Sequence, residues 1–172
     1  EGRNITTGNL GGLQYTARIE LLPFGEFTKK GDYFESDLKR EQTPKLMLGY
    51  TYNFNNNAVK TRSGLGSYMN TVNGFFQTDI TTTFTDLVFK YNGWSVLAEI
   101  SERNAENAIA ENQDGTATGD IVHIGRAINS QIGYLFENNF EIAARFSAIT
   151  YDDVVGIVNP EQYTLGVSKY LS

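Results

Sequence analysis

The stretch Asp86–Arg103, DLVFKYNGWSVLAEISER, decides how the rest of the chain is read. In its first half Leu87, Phe89 and Tyr91 alternate with Asp86, Val88 and Lys90. In its second half Trp94, Val96, Ala98 and Ile100 alternate with Ser95, Leu97, Glu99, Ser101 and Arg103. Successive side chains of a strand point to opposite faces, so each half is a strand with one apolar face and one mainly polar face. Asn92 and Gly93 between them readily take the positive φ angles of a type I′ turn, which makes the stretch a hairpin.

The pattern recurs outward in both directions. In QYTARIELL, Tyr15, Ala17, Ile19 and Leu21 oppose Gln14, Thr16, Arg18 and Glu20, and in LMLGYTYNF, Leu46, Leu48, Tyr50, Tyr52 and Phe54 share a face. INSQIGYLF and FEIAARFSAI are joined by the short turn Glu137–Asn139, with Ile128, Ile132, Tyr134 and Phe136 on the same side as Phe140, Ile142 and Phe146. A last run, QYTLGVSKYL, brings the sum to about seven strands, enough for a sheet. An alternating strand has two stable dispositions. Its apolar face can cover a core with charges outside, as in a soluble sandwich or lipocalin-like barrel, or it can meet lipid while the polar face lines a wet lumen.

Composition narrows the function classes. A net charge of −6 over 172 residues argues against a general nucleic-acid binder, which needs a basic face. Without cysteine there is no disulfide framework or thiolate metal site, and the single histidine, His123, stands beside no recognisable nucleophile, so an enzyme, metal or cofactor reading finds no support. No apolar run is long enough for a transmembrane helix and the mean hydropathy is −0.34, but neither fact bears on a barrel whose strands need only every second residue apolar. The opening EGRNITTG shows no basic-then-apolar leader, so any export signal is expected to have been removed or to lie outside this chain.

The connections favour lipid. Asn92–Gly93 and Glu137–Asn139 are tight, whereas the links around Lys60–Thr78 and Asn104–Ala127 are long and rich in Gly, Asn, Thr and charge. Short turns at one end of a sheet and long loops at the other are characteristic of outer-membrane barrels. Tyr91 and Trp94 flank one tight turn and Phe136 and Phe140 the other, as an aromatic girdle at a lipid interface requires. The segment LPFGEFTKKGDYFESDLKREQTPK falls by parity on the tight-turn side; the one element it offers is a short amphipathic helix near Asp37–Arg40.

At this point four stretches carry a resemblance: LLPFGEFTKKGDYFESDLKREQTPKLMLGYTYNFN, DLVFKYNGWSVLAEISER, GYLFENNFEIAARFSAI and QYTLGVSKYL. In this order they resemble the phosphate-selective porin O and P family in the form common among Bacteroidota, over nearly the whole chain. The resemblance implies a sixteen-stranded antiparallel transmembrane β-barrel working as a homotrimer in the bacterial outer membrane. It also implies passive diffusion of ions or small hydrophilic solutes, with phosphate and other anions as the family's preference. Residues 1–172 are then a single barrel segment and an incomplete barrel, since an odd number of antiparallel strands cannot close. A complete eight-stranded barrel would need one more strand in Gly2–Gly12 or the Lys60 region. The chain's acidic balance suits a cation-tolerant or general pore at least as well.

With the apolar faces in lipid, Arg18, Glu20, Asp86, Lys90, Glu99, Arg103, Glu141 and Arg145 point into the lumen and are the expected pore-lining residues. The competing possibility is that such charges pair across strands and only stiffen the wall. Lys60, Arg62 and Tyr68, in the long connection KTRSGLGSYMNTVNGFFQTD, are the expected constriction residues if that loop folds inward. NQDGTATGD has oxygen ligands for calcium but lacks the regular spacing of an EF-hand.

Overall fold

A computed structural model describes residues 12–171. In chain order the strands are β1 (Gln14–Leu21), β2 (Lys45–Ala58), the short pairs β3 (Lys60–Arg62) with β4 (Leu65–Tyr68) and β5 (Asn70–Thr71) with β6 (Gly74–Phe75), then β7 (Thr78–Tyr91) and β8 (Trp94–Ala105). The short pair β9 (Ile109–Glu111) with β10 (Ala117–Ile121) follows, then β11 (Gly125–Leu135), β12 (Phe140–Tyr151) and β13 (Glu161–Lys169). Seven of these form one sheet in the order β1-β2-β7-β8-β11-β12-β13. Every neighbouring pair is antiparallel. The chain is therefore all-β around a large antiparallel meander. Among the described residues the sheet is open, with β1 and β13 as its edges. The short strands of the Lys60 region pair among themselves and add nothing to it; Gly2–Gly11, the other place for an extra strand, lies outside the described residues.

Register keeps the two faces separate across the whole sheet. Ile19, Tyr50, Thr85, Ile100, Ile128 and Ala148 stand side by side in one row. The adjacent row, on the opposite face, is Glu20, Gly49, Asp86, Glu99, Asn129 and Ser147. The hairpin turn is as the sequence implies: Asn92 has φ 51° and Gly93 φ 88°. Gly93 is needed on a second count, because a Cβ there would come within 2.6 Å of the Leu135 carbonyl.

The core does not lie under the apolar face. One buried cluster, Phe27, Met47 and Val88 with Leu22 and Leu97 beside it, sits on the polar face, beneath the segment joining β1 to β2. The other, Ala58, Met69, Ile80, Ala110 and Val122, gathers the two long connections at the opposite end. The apolar face is open: Ile19 is 66% exposed, Ile100 52% and Leu165 76%. The helix expected near Asp37–Arg40 is a turn closed by Arg40 N–H to the Asp37 carbonyl (3.0 Å), and Arg40 leaves it with φ 48°, where a right-handed helix cannot continue. The nearest helical element is one 3₁₀ turn at Gly31–Tyr33.

Candidate functional site

The polar face of the sheet carries the chemistry, and it divides into three levels. At the tight-turn end the β1–β2 connection lies across it. Lys90, on β7, is 1% exposed, and its ammonium donates to the carbonyls of Gly31 (2.6 Å), Phe34 (2.5 Å) and Ser36 (2.8 Å). Three acceptors saturate the three donors of an ammonium, which is what burying it demands. Asp37 accepts from the Gly93 N–H (2.8 Å) and the Glu41 N–H (3.1 Å), and the Glu41 carbonyl accepts from the Asn92 N–H (2.9 Å). The Arg40 guanidinium donates to the carbonyls of Leu135 and Phe136 beside the second tight turn. Farther along, Arg145 meets Glu35 of the same connection (3.0 Å) and donates to Gln131 (2.8 Å). Glu141 is buried, with one oxygen accepting from the Tyr170 hydroxyl (2.8 Å).

The middle level is an acidic row. Asp86 and Glu99 face each other across β7 and β8, and Glu20 lies in the same row two strands away. Arg18 answers two of the three: it forms a two-pronged pair with Asp86 (2.7 and 2.7 Å), a bond to Glu20 (2.7 Å) and another to the Thr51 hydroxyl (2.9 Å). Glu99 is exposed and makes no ion pair or hydrogen bond among the described residues.

The level nearest the long loops is basic. Arg62, Arg103 and His123, with Thr82, Ser101 and Tyr151, line a cavity of about 220 Å³. Arg103 donates to the Thr82 hydroxyl (3.2 Å), and neither it nor Arg62 has an acidic partner among the described residues. The His123 ring stands edge-on to Tyr151, with centroids 5.9 Å apart, and its Nδ1 is buried without a partner among the described residues. Burial, and then the charges of Arg62 and Arg103, hold the His123 pKa below its ordinary value.

Of the eight expected pore-lining residues, all lie on the polar face, but their surroundings differ. Arg18, Glu20, Asp86 and Arg145 are in ion pairs, Lys90 and Glu141 are withdrawn from solvent, and Glu99 and Arg103 are neither withdrawn nor paired with an opposite charge among the described residues. The three expected constriction residues separate. Arg62 joins the basic cavity, whereas the Lys60 ammonium lies over the Tyr68 ring (4.7 Å). Asn55 donates to the Ser63 hydroxyl (2.9 Å), which draws that loop toward the polar face. Asp114, in the loop considered for calcium, accepts from the Thr116 hydroxyl (2.6 Å) and Thr116 N–H (3.0 Å), which pull its pKa down. Glu35, Asp37 and His123 escaped the sequence reading as site residues, because their segments have no period that assigns them a face. No family model, curated protein or solved structure matches the chain.

Proposed function

We propose that this chain is part of an outer-membrane porin: a β-barrel wall with its apolar face in lipid and its polar face along a water-filled path for ions or small hydrophilic solutes. The observation that carries this reading is the inverted sidedness of the sheet. A soluble sheet buries its apolar face. Here Ile19, Leu21, Ile100, Ile132, Ile142 and Leu165 are open on one side, while Lys90, Ser95, Asn55 and Glu141 are the covered residues of the other. β2, β7, β8, β11 and β12 are 11 to 14 residues long, sufficient to cross a bilayer at a tilt. The aromatic band supports the same placement: Tyr91, Trp94 and Tyr134 are successive register partners, and the Tyr134 ring lies tilted against Trp94 and edge-on to Phe136, with centroids 4.8 Å apart in each pair.

Backbone N–H and C=O groups along β1 and β13 need partners in hydrocarbon, so further strands must close the barrel, in keeping with the larger trimeric porin that the sequence resembles. Anions are the favoured solutes, because Arg62 and Arg103 of the basic cavity have no acidic partner among the described residues, whereas two of the three acids of the middle row are answered by Arg18. No observation favours a soluble sandwich or lipocalin-like binder. The intact protein, extracted from membranes in detergent and added to planar bilayers, is expected to give discrete ion-conducting steps. Arg103→Glu should shift its reversal potential toward cations in a salt gradient. A protein that stays dissolved without detergent and gives no steps would end the porin reading; an unchanged reversal potential would remove Arg103 from the path.

A further inference from the structure

The connection between β1 and β2 falls at the end where the other two connections are two and four residues long. A connection that served only to join strands would be short or would lie out in solvent. This one turns back over the polar face and is fixed there at separate points. Lys90 holds three of its carbonyls from beneath. Asp37 ties it to the Asn92–Gly93 turn and Arg40 to the turn after β11, so it bridges two hairpins that adjoin through β8 and β11. Phe27 packs against Met47 and Val88 below it. A buried ammonium is costly unless fully bonded, so Lys90 and the carbonyl cradle require each other.

We infer that the 22–44 segment is the constriction of the channel at its tight-turn end, that Lys90 is the residue positioning it, and that the exposed Glu35–Arg145 pair sets the charge of its rim. The inference rests on the porin reading, since only in a lumen does a segment pinned to this face narrow a path. It also moves the principal constriction from the Lys60–Thr78 loop to a segment that enters from the opposite end.

The chain contains no cysteine, so once any cysteine outside it is replaced by serine, an introduced thiol reports on one position. Single channels of the intact protein are recorded for wild type, Glu35→Cys and Lys90→Met, each checked for the heat resistance of its barrel in detergent. A bulky cationic thiol reagent should lower the Glu35→Cys current in discrete steps, reversibly on reduction, and leave wild type unchanged. Lys90→Met should raise conductance and expose the Lys29–Lys30 bonds to trypsin. If Lys90→Met does not fold, the Glu35→Cys experiment decides alone. Wild-type channels together with a Glu35→Cys current indifferent to the reagent would overturn the constriction and leave the porin standing. Wild-type protein without channels would remove the porin reading and the constriction with it.

Discussion

Gly49 shows how a single absent side chain organises the middle of the polar face. It stands in register between Glu20 and Asp86, and a Cβ there would collide with Asp86 Oδ2 and Arg18 Nη2. Arg18 thus reaches across a strand that offers no obstacle. Gly49→Ala should part the two-pronged pair. Because the Arg18 side chain is over a third exposed, the stability loss should stay within about 0.2–1 kcal/mol. The larger effect is expected in conduction, where Gly49→Ala and Asp86→Asn should shift the reversal potential in a non-additive way; full additivity would mean that the pair had not been coupled through this position. His123 supplies a second test at this scale. Its proton is held less tightly in the folded protein than in the unfolded chain, where the pKa is about 6.5. The native state is therefore favoured fully above that value, and part of that stability is lost as pH falls from there through the lower folded pKa. Its ring resonance, assigned by its loss in His123→Gln, should titrate below pH 6.5 by NMR, and Arg103→Gln should move the midpoint upward. A midpoint at or above that of a free histidine would place the ring outside the basic cavity. Parity in the sequence was sufficient to put all eight charges on one face. It could not choose their partners: Arg145 takes Glu35 from 110 residues away, and Lys90 takes carbonyls, which no residue type signals.

At the scale of elements, the long strands were legible and the connections were not. Alternation with period two marks β7 and β8, and Asn92–Gly93 fixes their register, because both are local properties. The 22–44 segment has neither period nor turn signature, and its shape is made by long-range bonds from Lys90, Asp37 and Arg40. The same difference governs tolerance to mutation. Ile100 lies near the middle of β8 on the apolar face, so in a bilayer Ile100→Arg should cost roughly 2–4 kcal/mol, read as a lower midpoint of unfolding from lipid vesicles. Its neighbour Ser101 is on the polar face, and Ser101→Arg should cost much less. Equal penalties at the two positions would contradict the separation of a lipid face from an aqueous one.

For the whole molecule, the meander fixes the proposed sidedness in the membrane. The connections after β2, β8 and β12 all fall at one end, and the two tight turns with the 22–44 segment at the other. Protease added to intact cells should therefore cut within 106–124 and spare Asn92–Gly93; cleavage at that turn would reverse the orientation. The exposed apolar face is the feature on which everything else depends, and the chain has one tryptophan with which to probe it. Trp94 lies on that face beside the tight turn, 47% exposed and in tilted ring contact with Tyr134. The decisive measurement is the fluorescence of Trp94 in vesicles of the intact protein, any tryptophan outside this chain being replaced by phenylalanine, with lipids brominated at defined depths on one side and aqueous iodide on the other. Strong quenching by bromines near the head-group end of the acyl chain, with little by iodide, is expected of an apolar face in lipid. Emission indifferent to the brominated lipids but quenched by iodide would contradict it.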